Sequence, residues 1–135
     1  MPTSLDVKLL DLKHMRFLGA GAFGEVSLVQ SQVNKETFAL KKMGKMVISK
    51  RKLQAQVIRE KKLLASCSHP FIVRLYKSFK DSTSIYMLME FVQGGELLSL
   101  IYRTGKKMSD SEVSFYGASV LLALDYLHSK SIAYR

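Results

Sequence analysis

Leu18-Gly19-Ala20-Gly21-Ala22-Phe23-Gly24-Glu25-Val26, together with Phe38-Ala39-Leu40-Lys41, decides how this chain folds. The glycines have the spacing G-x-G-x-x-G, which occurs in two backbone settings. A dinucleotide-binding turn needs a strand before the loop, a helix after it and an acid about 20 residues on. Here Val26-Ser27-Leu28-Val29 alternates as a strand, and the only acid in that stretch, Glu36, comes too early. The loop therefore joins two antiparallel strands. It is either an ordinary glycine-rich hairpin or a loop whose exposed N–H groups approach phosphate without Cβ interference.

A second pair of residues weighs against the ordinary hairpin. On a strand through Lys41, Ala39 shares its face, whereas Leu40 and Lys42 point the other way. Downstream, Leu53, Val57, Glu60 and Leu64 are spaced four, three and four, which places Glu60 on the apolar stripe of a helix. A carboxylate there is costly unless a cation meets it. Lys41 and Glu60 thus supply opposite charges from two elements that must pack together, an inward ion pair beneath a glycine loop, placed to hold a polyphosphate. Lys42 is one residue away from that role and on the wrong face for it.

Outward from this centre, strand-like runs are expected at 15–18, 25–29, 37–43, 73–79 and 84–91, the last almost wholly apolar, as in a strand covered on both faces. His69-Pro70 ends the helix that carries Glu60, and Gln93-Gly94-Gly95 ends the fifth strand. A short helix is expected at 96–102. Ser109-Asp110-Ser111-Glu112 is a capping-box signature opening a longer one, with an apolar stripe at Val113, Tyr116/Gly117, Val120, Leu124 and Leu127. The fold class is α+β: a five-stranded antiparallel sheet with one main helix inserted, then a helical portion.

Composition sets the outer limits. The 135 residues are 47% apolar and 24% charged, which suits one globular domain and excludes a disordered tail or coiled coil. One cysteine, Cys67, cannot form an internal disulfide, and no Cys/His spacing or acidic cluster offers metal ligands. No apolar run approaches a membrane span, and Met-Pro-Thr-Ser-Leu-Asp lacks the marks of a signal peptide. A cytoplasmic location is the expectation. The net charge of +10 invites a nucleic-acid partner, yet eight of those ten charges lie in residues 41–62, where nine Lys/Arg face the single acid Glu60. Without interleaved aromatics or a recognition-helix pattern, a solvated helix face is the better reading, and no nucleic-acid partner is expected.

Taken jointly, Leu18-Gly19-x-Gly21-x-Phe23-Gly24-x-Val26, Ala39-Leu40-Lys41 and Glu60 resemble the ATP-binding half of a eukaryotic protein kinase, parts and order alike. Tyr86-Met87-Leu88-Met89-Glu90-Phe91-Val92-Gln93-Gly94-Gly95-Glu96 is similar to the hinge of the AGC group of serine/threonine kinases. Tyr126-Leu127-His128-Ser129 and Ala133-Tyr134-Arg135 resemble the approach to that group's catalytic loop. Within the group the likeness is greatest to the cyclic-nucleotide-dependent kinases. It implies an N-terminal extension at 1–13, a kinase N-lobe with hinge at 14–92 and the start of a helical C-lobe at 93–135.

The resemblance also implies roles. Gly19, Gly21, Phe23 and Gly24 would cover the phosphates of ATP, and Lys41, held by Glu60, would bind the α and β phosphates. Leu18, Val26 and Ala39 would sandwich the adenine, Met89 would be the gatekeeper, and the backbones of Glu90 and Val92 would bond the purine edge. Glu96 would meet the ribose and, in basophilic relatives, an arginine of the substrate, so protein substrates with basic residues near the target Ser/Thr are implied. Leu64, Leu75 and Tyr134 match members of an apolar spine, and Gln56 stands where several relatives carry a histidine. A cyclic-nucleotide-binding regulatory partner is a further implication.

In the family the catalytic Asp follows the Tyr-Arg matched here by Tyr134-Arg135, and the protein ligands of Mg2+ come later still. The expectation is therefore a truncated kinase domain that does not transfer phosphate alone, with an apolar helix at 109–128 that nothing later in the chain covers. The alternative is a non-catalytic nucleotide-binding or scaffold module.

Overall fold

The computed structural model describes residues 6–21, 24–105 and 107–134. They fall into two compact units, one of residues up to 67 with 74–91, the other of 68–73 with residues from 92 onward.

The first unit is a five-stranded sheet with helices. Its elements are β1 (Leu12–Gly21), β2 (Gly24–Ser31), β3 (Thr37–Gly44), α1 (Lys45–Lys50), α2 (Gln54–Ser66), β4 (Leu75–Lys80) and β5 (Ser84–Glu90). The strands lie in the order β1-β2-β3-β5-β4, and every neighbouring pair is antiparallel. The period-two pattern of β3 divides its residues between two cores. Ala39, Lys41 and Met43 face one side, where Met43, Ile48 of α1, Val57 of α2 and Met87 of β5 form a buried cluster with Leu53, Leu64, Leu75, Ile85 and Met89 around it. Phe38 and Leu40 face the other, with Val29, Leu88, Leu12 and Phe79. Consecutive residues of β5, Met87 and Leu88, are both wholly buried, one in each core, which is why that strand reads as an unbroken apolar run.

The chain ahead of β1 is tied to β4. Val7 is buried, and Lys77 Nζ donates to its carbonyl at 3.0 Å. The edge strand β1 is longer than its alternation suggests. Register shifts between His14 and Arg16 and between Phe17 and Gly19 break the period, and Met15 and Phe17 stay exposed.

Helix α1 is not foreshadowed by periodicity. Its six residues make less than two turns, Gly44 caps it without a side-chain bond, and Ile48 is its single buried residue. It exists because tertiary contacts hold it: Lys45 N–H donates to Thr83 O at 2.8 Å, and Ile48 enters the core. The turn that receives α1 is organised by Asp81. Its Oδ1 accepts the N–H groups of Thr83 at 2.8 Å and Ser84 at 2.7 Å, and its Oδ2 accepts the Tyr86 hydroxyl at 2.7 Å. Lys45 Nζ donates to the Asp81 carbonyl. The Tyr86 hydrogen bond and these amide bonds favour the carboxylate and lower the Asp81 pKa from 3.8 to about 2, while the same hydroxyl bond raises that of Tyr86.

The second unit carries α3 (Leu97–Thr104) and α4 (Asp110–Ser129). Gly105, at φ +58°, ends α3 in the left-handed conformation. At the start of α4 the capping box is formed in both directions. Ser109 Oγ accepts Glu112 N–H at 3.3 Å and Glu112 Oε2 accepts Ser109 N–H at 2.8 Å, which lowers the Glu112 pKa. The segment 68–73 belongs to this unit because it docks on α4. Ser68 N–H donates to the Tyr126 hydroxyl at 2.9 Å, and the His69 and Tyr126 rings lie 5.0 Å apart. This explains why β4 begins at Leu75 and not at 73. No residue of α3 or α4 is fully buried, and Phe115, Val120, Leu121 and Leu122 are more than half exposed. No helix among the described residues is long and apolar enough to cross a membrane.

Two outcomes are expected. Replacing Met87 by Ala costs about 2–5 kcal/mol in denaturant unfolding, because the core around Met43 collapses only partly into the space. The Asp81 contribution is present above the unfolded carboxylate pKa and is lost as pH falls through the folded one. An Asp81→Asn variant is therefore less stable than wild type at neutral pH, and the difference between their thermal midpoints closes between about pH 4 and pH 2.

Candidate functional site

Strands β1, β2, β3 and β5 and helix α2 meet at a cleft of about 430 Å3 in the first unit. Its mouth is formed by the glycine loop, with Gly19, Ala20 and Gly21 from β1 and Gly24 and Val26 from β2, while Leu18 and Met89 add apolar walls. Lys41 and Glu60 form its charged floor, with Lys41 Nζ 2.7 Å from Glu60 Oε1. Each arrives there for a local reason. Lys41 is register partner of Val26 on one side and Met87 on the other, on the face that α2 covers. Glu60 lies one turn after the buried Val57 and one before Leu64, which packs on the same core.

The pair is largely sheltered, with side-chain exposures of 17% for Lys41 and 31% for Glu60. Burial of this depth strengthens a charge-assisted hydrogen bond. Among the described residues Glu60 is the only carboxylate lining the cleft. The loop above is constrained by close approach at Gly24. A Cβ placed there would lie 1.9 Å from the Lys42 carbonyl oxygen, whereas at Gly19 and Gly21 it would meet nothing within 4 Å. Gly24 is thus required by the backbone of β3 beneath it, and the other two leave open space beside the backbone.

The remaining sequence-derived candidates are placed as follows. Ala39 is buried on the Lys41 face, register partner of Leu28 and Met89, without lining the cleft. Glu90 ends β5, where its N–H donates to Arg74 O at 2.9 Å and its carboxylate accepts Arg74 N–H at 3.3 Å. Val92 and Glu96 belong to the second unit, Val92 exposed and Glu96 at the N-cap of α3. Phe23 lies outside the described residues. Leu64 and Leu75 pack around the Met43–Met87 core, and Tyr134 is exposed. Gln56 is exposed on α2. Lys42 points away from the cleft and lies 3.7 Å from Glu25. Ala20 is a lining residue that motif reading passes over, because its side chain carries no chemistry and only the hairpin geometry brings it there.

Apolar walls, N–H-rich glycine backbone and one lysine ammonium fit a nucleotide: a flat apolar base and an anionic tail. Magnesium is not matched in the same way. Among the described residues no group of three or more His, Cys, Asp or Glu could hold a metal ion.

A glycine loop in an antiparallel sheet, over a strand lysine paired to a helix glutamate, defines a protein-kinase-type nucleotide lobe. The protein kinase domain family matches residues 12–135, and the chain belongs to that family. Its relatives are the cyclic-nucleotide-dependent kinases of the AGC group. The chain is 42% identical over 133 residues to cAMP-dependent protein kinase type 3 of Saccharomyces cerevisiae, covering 98% of this chain and 33% of the yeast protein. It is 43% identical over 131 residues to cGMP-dependent protein kinase, isozyme 2 forms cD5/T2, of Drosophila melanogaster, covering 96% of this chain and 14% of the fly protein. It is 41% identical over 127 residues to the human cAMP-dependent protein kinase catalytic subunit PRKX, covering 94% and 35%. The chain therefore spans about a third or less of these three relatives.

Gly24→Ala is expected to separate β2 from β3 locally. Its signature is a lower thermal midpoint together with faster exchange of the amides near Lys42. Glu60→Ala, which removes the carboxylate that meets the Lys41 ammonium, is expected to cost about 1–3 kcal/mol in denaturant unfolding, and Glu60→Gln less.

Proposed function

We propose that this chain is the ATP-binding part of a serine/threonine protein kinase that transfers the γ-phosphoryl group of ATP to Ser/Thr hydroxyls of protein substrates rich in arginine near the target. The Lys41–Glu60 pair beneath the glycine loop carries the reading, because the fold spends a half-buried ion pair on a position where an ammionium can reach an anionic tail. In this reading Leu18, Val26 and Met89 hold the adenine, the loop N–H groups and Lys41 hold the phosphates, and Glu60 orients Lys41. The kinase resemblance assigns the backbones of Glu90 and Val92 to the purine edge and Glu96, an exposed acid, to the ribose and a substrate arginine. Mg2+, when bound, would neutralise charge on the phosphates; among the described residues no group of three or more His, Cys, Asp or Glu could hold it.

Among the described residues the only acid lining the cleft is Glu60, which pairs with Lys41, so the described lining offers no second carboxylate to accept a hydroxyl proton. A polypeptide of these 135 residues is therefore expected to bind ATP and transfer no phosphoryl group. The exposed apolar side chains of α4 favour a second reading, a non-catalytic module that docks on a partner through that helix.

The test is an ATP titration followed by thermal unfolding, for wild type and Lys41→Met. The expected result is saturable stabilisation of wild type, about 2.7 kcal/mol at a hundredfold excess over Kd, weakened at least tenfold in affinity by Lys41→Met. Equal responses in the two proteins, or none, would overturn the proposed site. Assayed on an arginine-containing peptide, phosphoryl transfer by the 135-residue polypeptide alone would refute its predicted inactivity.

A further inference from the structure

The face of the sheet opposite Lys41 carries a row of polar side chains that the nucleotide site does not use. Glu25 of β2 and Lys42 of β3 are register partners, with Lys42 Nζ 3.7 Å from Glu25 Oε1. Lys42 is in turn the register partner of Tyr86 on β5, and the Tyr86 hydroxyl donates to Asp81 Oδ2 at 2.7 Å. The row runs from the exit of the glycine loop across three strands to the turn that also receives Lys45. Its loop end is where the backbone is tightest: Gly24, the residue before Glu25, packs against the Lys42 carbonyl closely enough to exclude any Cβ. Glu25 also pairs in register with Ala20, which lines the cleft.

We infer that Glu25 and Lys42 are positioning residues that hold the exit of the glycine loop against β3, setting the height of the loop above Lys41. Adjacent lysines thus serve opposite faces of one strand. Lys41 lies under the loop inside the cleft, and Lys42 clamps the loop's second strand from outside. An ion pair about half exposed on both sides is weak, so it does not decide whether the sheet forms. It acts on the local opening equilibrium of the start of β2. That the held loop is one that grips a nucleotide rests on the function proposed above.

The test is a charge-reversal cycle on the full chain: Glu25→Lys, Lys42→Glu and the double variant, with Lys42→Arg as the conservative control. Amide hydrogen exchange at Gly21, Gly24 and Glu25 is read without nucleotide. The single reversals are expected to speed exchange about two- to fivefold, with restoration in the double variant, a wild-type rate in Lys42→Arg, and a smaller difference between variants in 1 M salt. Unchanged exchange in the single variants, or a double variant no better than either, would overturn the inference. In the same proteins the ATP off-rate is expected to rise and recover in parallel with exchange. If wild type binds ATP and its off-rate ignores both reversals, the positioning role fails. If wild type binds no ATP, the proposed function fails, while the exchange cycle still decides whether the pair holds the loop.

Discussion

A lysine and a glutamate on the inward faces of two different elements must find each other, and much of the first unit is arranged around that requirement. Lys41 can face α2 only if β3 keeps its register between β2 and β5. Glu60 can reach it only if Val57 and Leu64 bury the same stripe of α2. A slip of one residue in β3 would bring Lys42 inward and turn Met43 to the other face, losing core and ion pair together. The half-buried charge therefore reinforces the hydrophobic pattern instead of competing with it.

The sheet serves two cores, and the cleft depends on both. Met87 and Leu88 anchor β5 from opposite sides, which holds Met89 at the cleft wall. The Met43 cluster fixes α2, while the Phe38 cluster supports the other side of β3. The cation is thereby mounted on β3, a strand supported by both cores, as precise placement of a reacting group requires. The second unit is different in kind. Its helices are capped and well formed, yet their apolar side chains remain largely exposed, so their local signals are satisfied without a core.

The strands flanking Lys41, the helix bearing Glu60 and the capping box of α4 were legible in residue order, because each depends on neighbours within one or two turns or on simple alternation. The six residues of α1 were not, since one buried Ile48 in less than two turns leaves no period to detect. The full length of β1 was hidden by its bulges, and the late start of β4 by Ser68 and His69 docking on Tyr126, 58 residues from Ser68. Ala20 in the cleft and the Glu25–Lys42 pair were invisible for a related reason: both arise from which strands lie side by side.

Residue order alone thus determined the chemistry of the loop, the lysine and the glutamate, and the family to which they belong, because motif spacing and side-chain periodicity are local properties of a chain. Tertiary structure alone decided that Lys41 and Glu60 lie 2.7 Å apart, that Gly24 is pressed onto the Lys42 carbonyl and that Lys42 meets Glu25. Those distances depend on strand register and helix docking between segments far apart in sequence, which are settled by burial across the whole unit and not by any stretch within it.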